Sequence, residues 1–130
     1  DLGRFFEVVQ RLLRPAGHLL IYEMHPVLDM FDPEQNEDGP RLRYSYFREE
    51  PYVDEEGLDY YGKTVYKSPP SYWFHHTMAD VIQGCIDAGL TIQEFREYAH
   101  DVSNVFAHFA DFAVKPALSY TLLARKTRVQ

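Results

Sequence analysis

The strongest constraint on folding lies at the amino end, where an amphipathic stripe runs through a tight turn into a short apolar segment. Leu2, Phe5, Phe6, Val9, Leu12 and Leu13 recur at helical steps, which gathers their side chains on one face. Asp1 is placed to cap this helix, since a carboxylate accepts the unpaired amide hydrogens of a first turn. Pro15 cannot extend the helix and Gly17 supplies a turn. His18 to Met24 is too short for a helix and is bounded by Gly17 and Pro26, which predicts a strand buried on both faces. Helix, short turn and buried strand make one arm of a parallel α/β unit.

The chain has 130 residues, of which 45% are hydrophobic, enough for one compact core. Its aromatic content of 15% supplies rings that can line a pocket as readily as fill a core. A formal charge of -7 repels phosphate backbones, and no Lys/Arg cluster offers a local exception, so nucleic acid is not an expected partner. Cys85 is the single cysteine, which rules out an intramolecular disulfide. No apolar run is long enough for a membrane-spanning helix and no charged leader precedes an apolar run, so a cytoplasmic location is expected.

Residues 29–39 are acidic and carry Pro33, Asn36 and Gly39, which predicts a solvated loop. Leu42, Tyr44 and Tyr46 alternate with Arg43, Ser45 and Phe47, and a second aromatic stretch spans Leu58 to Tyr66. With Asp54 to Gly57 as the turn, this predicts a β-hairpin. Ser68, Pro69, Pro70 and Ser71 then punctuate the chain. A helix follows with Met78, Val81, Ile82, Cys85 and Ile86 on its apolar face, Thr77 as N-cap, Asp80 three residues on, and Gly89 at its end. Thr91 to Tyr98 predicts a strand. Val105, Phe106, Phe109, Phe112 and Ala113 suit a short amphipathic helix under a long loop, and Ala117 to Arg125 a last strand before a basic tail of Arg125, Lys126 and Arg128.

The segment from Val9 to Glu23, reading VQRLLRPAGHLLIYE, resembles the "LLxPGGxLxIxE" passage from helix to fifth strand in class I S-adenosylmethionine-dependent methyltransferases, with Ala16 where the first of two glycines usually stands. Glu23-Met24-His25-Pro26 resembles a Glu-x-His-Pro strand end in one bacterial branch of that family. In that branch an aromatic hairpin follows, and then an aromatic-plus-His helix entry, here Tyr72-Trp73-Phe74-His75-His76-Thr77. Asp87-Ala88-Gly89-Leu90-Thr91-Ile92 and the stretch from Lys115 to Lys126 are similar to the family's later helix end and last strand.

The resemblance implies an α/β fold, the carboxy-terminal half of a Rossmann-like methyltransferase. It would hold a three-stranded mixed sheet of the family's strands 5, 7 and 6, two main helices and an aromatic β-hairpin insertion. Residues 1–130 would be a single partial domain: helix and fifth strand in 1–26, the hairpin in 40–67, and a helix with the last two strands in 77–126. The last strand would lie between the other two, antiparallel to both. The family's glycine-rich cofactor turn and ribose-binding acidic residue have no counterpart, and no Gly-x-Gly occurs. The implied protein binds S-adenosylmethionine when a missing amino-terminal half is present, and this chain alone holds none tightly.

Methyl transfer needs an aligned acceptor and often a base, which nominates His75 and His76 as catalytic residues. Glu23 and His25, at a carboxyl strand end, and Tyr72 and Trp73, as an aromatic wall, are the candidate contacts to a small-molecule methyl acceptor. Each has a plainer alternative: loop hydrogen bonding for Glu23 and His25, helix capping or exposure for the two histidines, core packing for the rings. Cys85 reads as a buried structural thiol. Adjacent histidines at a helix start diverge, and the calcium-loop echo from Glu34 to Gly39 lacks its closing Glu, so no metal is expected. His100, Asp101 and His108 have no assigned partners. The competing reading is a non-catalytic ligand-binding or dimerisation domain, its surface formed by the aromatic hairpin and the helix after His76. Under the leading reading, truncation would leave an exposed edge on the strand at 18–24, through which a homodimer is expected.

Overall fold

The computed structural model describes residues 1–34, 39–56, 64 and 66–127. Helix α1 (Leu2–Leu12) leads to strand β1 (His18–Met24) and a 3₁₀ segment (Pro26–Met30). Strands β2 (Tyr52–Glu56) and β3 (Lys67–Trp73) follow, then helix α2 (Met78–Asp87) and strand β4 (Leu90–Tyr98). A second 3₁₀ segment (Ala107–Asp111) precedes strand β5 (Ser119–Lys126). The main sheet has the order β1-β5-β4, while β2 and β3 form a separate antiparallel pair.

The helix ends are set by the predicted chemistry. Asp1 accepts the Arg4 amide at 3.0 Å. Thr77 and Asp80 close a reciprocal capping box, the Thr77 amide donating to Asp80 at 2.8 Å and the Asp80 amide to the Thr77 hydroxyl at 3.1 Å. Those bonds hold the Asp80 carboxyl below its ordinary range. Its contribution to stability is therefore present at neutral pH and lost as acid takes the pH down through that lowered value. Gly89, at φ +73°, ends α2 in the left-handed conformation that glycine adopts without strain.

Ala16 takes the same conformation, at φ +63°, in the turn between α1 and β1. The left-handed region costs a residue with a Cβ roughly 1–2 kcal/mol, so Ala16 stands where a glycine would fit without strain. Ala16→Gly is expected to stabilise the chain by about 0.5–1 kcal/mol after the added unfolded-state entropy is deducted. A urea midpoint that fails to rise would show that the turn carries no such strain.

Several expectations are corrected. The sheet is antiparallel throughout rather than mixed, because β5 lies between β1 and β4 and opposes both. Strand β1 is covered on one face, not two. Leu19 and Ile21 pack towards the core of Phe6, Val81, Cys85, Leu122 and Ala124, while Leu20 and Tyr22, on the opposite face, are 65% and 46% exposed. Both helices contribute to the same core, so they cover the same side.

The hairpin lies later than predicted. Asp54, read as part of the turn, is in β2, and the Ser68–Ser71 stretch, read as punctuation, is in β3. Asp54 pairs with Ser71 and Glu56 with Lys67, so Pro69 and Pro70 fall in the register shift, where prolines are tolerated. Of the predicted strand at Leu42 to Phe47, the structure retains a single bridge between Leu42 and Phe31. Most of the stretch from Leu58 to Tyr66, like Asn36 and Asp38, lies outside the described residues. Lys126 is no free tail residue, since it ends β5 and its Nζ donates to the carbonyls of Gln10 at 2.7 Å and Leu13 at 2.9 Å, tying the last strand to the end of α1.

A second core joins Leu28, Phe31, Phe106, Phe109 and Leu118 and braces the 3₁₀ segment Pro26–Met30. Cys85 is fully buried, and burial pushes its thiol up to about 11, which suits a packing role. No helix among the described residues is long and apolar enough to cross a membrane.

Candidate active site at the carboxyl end of strand β1

The carboxyl end of β1, the first 3₁₀ segment and the hairpin enclose two adjoining cavities of about 410 and 690 Å³. Glu23, Met24, Asp29, Tyr52 and Trp73 line both. His75, His76 and Tyr120 line the smaller, and Phe31, Tyr44 and Phe106 the larger. Among the predicted contacts, Trp73 faces both cavities and Tyr72 neither, as alternation along a strand requires.

His75 precedes α2, with its side chain 2% exposed. Its Nδ1 lies 2.7 Å from an Asp29 carboxylate oxygen. A carboxylate accepts and does not donate, so Nδ1 carries the hydrogen, and Nε2 of the neutral ring keeps its lone pair. That Nε2 is buried and has no hydrogen-bond partner among the described residues. The Tyr46 ring stands against the imidazole edge to face, 5.3 Å between centroids, and the Tyr46 hydroxyl accepts the Met78 amide at 2.8 Å. Tyr46 thereby links the position of His75 to the first turn of α2.

His25 has the opposite tautomer. The Val27 amide donates to its Nδ1 at 3.1 Å, so Nε2 carries the hydrogen and meets Glu97 at 2.9 Å. Both ring nitrogens are engaged, and His25 acts as the N-cap of the 3₁₀ segment that presents Asp29. His76 lies beside His75 at the cavity wall. Glu23 spends one carboxylate oxygen on the Met24 amide at 3.0 Å. Burial first, and the Glu23 charge next, push the Tyr120 phenol up to about 12, so it remains protonated in the physiological range. Burial and then the Asp29 charge also raise Tyr52, whose hydroxyl donates to the Asp29 carbonyl at 3.2 Å.

Asp29, Tyr46, Tyr52 and Tyr120 were not among the sequence candidates. Asp29 sits at the start of an acidic stretch that reads as solvated, and nothing in the spacing distinguishes it from Asp32 or Glu34. The residues left unassigned now have partners. The Tyr22 hydroxyl pairs with His100 Nε2 at 2.6 Å, Asp101 accepts the Ser103 and Phe106 amides, and His108 packs against Phe109 and Phe112. Among the described residues no cluster of three or more His, Cys, Asp or Glu side chains could hold a metal ion.

No family model matches the sequence, and no curated protein matches it. Solved structures do match. A S-adenosylmethionine-dependent methyltransferase from Mesorhizobium loti superposes with a TM-score of 0.61 at 20% identity, over 96% of this chain and 55% of that one. A putative S-adenosylmethionine-dependent methyltransferase from Listeria monocytogenes superposes with a TM-score of 0.64 at 16% identity, over 98% of this chain and 55% of that one. The chain thus spans about half the length of these structures and, over nearly all its own residues, has the α/β fold of that portion of a methyltransferase.

Proposed function

We propose that this chain is the acceptor-side, carboxy-terminal half of an S-adenosylmethionine-dependent methyltransferase acting on a small molecule, inactive until joined to a cofactor-binding half. The observation that carries the reading is the His75–Asp29 pair at the wall of an aromatic cavity, beside the carboxyl end of a strand, the edge where open α/β sheets hold ligands. The fold likeness to methyltransferases of nearly twice the length supports it. On this reading β1, β5 and β4 correspond to the family's strands 5, 7 and 6.

The described residues do not make a cofactor cradle. Among the described glycines, the two at positive φ are Gly39, in the acidic loop, and Gly89, at the end of α2. Neither forms the amide-lined turn after a strand that would hold the cofactor's amino-acid end. The work of this chain is on the acceptor: Trp73 and Tyr52 wall it, and Nε2 of His75 takes a proton from it. Asp29 holds the imidazole in the tautomer that does so.

Calorimetric titration of the isolated chain with S-adenosylmethionine is expected to give no saturable heat at micromolar concentration, whereas a longer protein containing it does. Tight binding by the chain alone would overturn the division of labour. A second reading, a non-catalytic ligand-binding or dimerisation domain, is favoured by the position of β1 at the edge of the sheet, paired with β5 alone among the described residues. It gains if the longer protein also binds no S-adenosylmethionine.

A further inference from the structure

We infer that the methyl acceptor is an amine carried on an apolar body, and that Glu23 and Trp73 select for its cationic form. The inference rests on the acceptor-site reading above and adds the substrate class. Both cavities contain two carboxylates, Glu23 and Asp29, and neither is lined by any Lys or Arg among the described residues. A carboxylate or phosphate acceptor would meet repulsion with no compensating cation.

The two carboxylates are not equivalent. Asp29 is committed to His75 through one oxygen, while its backbone carbonyl takes the Tyr52 hydroxyl. Glu23 uses one oxygen for the Met24 amide, and its second has no hydrogen-bond partner among the described residues. Glu23, exposed at the wall of both cavities, has no Lys or Arg beside it there among the described residues, so its charge is balanced by solvent until a cation enters.

The rings add to that preference. Arg48 already lies over Tyr52, 4.1 Å from the ring centroid, tied by its Nε to the carbonyl of Glu50, and lines neither cavity. Trp73 is 63% exposed at the wall of both cavities, an indole with an open side, and indole is the strongest of the aromatic partners for a cation. Carboxylate and open indole recognise an ammonium group, and the apolar lining of Met24, Phe31 and Phe106 accommodates its body.

His75 supplies the other half of the argument. A buried lone pair without a donor is costly until a ligand's N–H or O–H reaches it. An amine provides that hydrogen, and Nε2 then accepts the proton the nitrogen must lose before its lone pair can act as a nucleophile. Nε2 is closed off from solvent, so its contact with the acceptor requires the cavity wall to move.

Trp73 is the single tryptophan of the chain, so its fluorescence reports the site directly. The chain is titrated at about pH 8, where an aliphatic amine is cationic, with phenethylamine, phenethyl alcohol and hydrocinnamate, none of which emits with tryptophan. Phenethylamine is expected to quench Trp73 saturably and to bind about tenfold more tightly than the alcohol, with no saturable change from hydrocinnamate. Glu23→Gln should remove the preference for the amine. Equal or tighter binding of the alcohol or the acid, no saturable response to the amine, or a preference that survives Glu23→Gln would each overturn the inference. No methyl donor enters the measurement. A longer protein that transfers methyl groups but ignores amines therefore sinks this inference alone, and amine binding without any methyl transfer sinks the methyltransferase reading.

Discussion

Replacing His75 by Gln in a longer protein that joins this chain to a cofactor-binding half is expected, on the proposed reading, to lower kcat by about 10²- to 10⁴-fold, the usual contribution of a positioned general base. The reason is geometric. Asp29 occupies Nδ1 and leaves Nε2 as a buried acceptor with no partner among the described residues. Asp29→Asn should move activity the same way, because an amide can donate to Nδ1 and shift the hydrogen to Nε2, where it blocks proton abstraction. The two variants are separated from mere unfolding by urea denaturation, which should still show a cooperative transition. His75→Gln gives up the hydrogen bond to Asp29, about 1.5–3 kcal/mol for a bond to a charged group, while the exposed part of Asp29 can turn to water. A second readout is the acid limb of the pH–rate profile, which a base must shape and a packing residue need not. If His75→Gln leaves kcat within about threefold of the parent, a barrier change of well under 1 kcal/mol, the pair is structural and the base lies elsewhere.

The largest stability effect is expected at Phe6. Its side chain is fully buried in the core shared by both helices and the sheet. The fit against α2 is close: a Cβ added at Gly84 would fall 2.5 Å from Phe6 Cδ2. Glycine there lets the ring lie against the helix backbone, a close approach that any side chain would prevent. Phe6→Ala should cost about 3–5 kcal/mol, the transfer of the ring plus the cavity it leaves, a large share of the stability of a domain this size. Leu12→Ala on the same helix, at a position 79% exposed, should stay within about 0.5 kcal/mol. Denaturant unfolding of the two variants gives the comparison. Similar midpoints for both would mean that α1 does not pack on α2 as described.

Local chemistry made much of this chain readable without coordinates. The caps at Asp1, Thr77 and Gly89, the helices they bound and the strands at His18–Met24 and, from Thr91 on, Leu90–Tyr98 follow from spacing and from residues that satisfy their own neighbours, although Phe5, Leu12 and Ile86 of the predicted apolar faces lie exposed. The motif resemblance added what periodicity cannot hold, namely that the last strand inserts between the other two and opposes both. Spacing misled where a local signal has two meanings. Pro69 and Pro70 read as a break because proline lacks an amide hydrogen, yet the irregular pairing opposite Glu55 leaves those positions free of that demand. Likewise an apolar run such as His18–Met24 is compatible with one covered face or two, and the difference depends on which elements arrive from elsewhere.

The opening stripe and turn set α1, β1 and the strained corner at Ala16, because each of those depends on residues a few positions apart. The site required distance. Asp29 and His75 are brought to 2.7 Å by the 3₁₀ segment on one side and the hairpin's return to α2 on the other. Two His-Glu/Asp pairs of similar composition then acquired opposite tautomers, His25 with both ring nitrogens engaged and His75 with a lone pair left over. Nothing in the residue types separates them. The protonation of an imidazole is set by whichever donor or acceptor tertiary packing places beside each nitrogen.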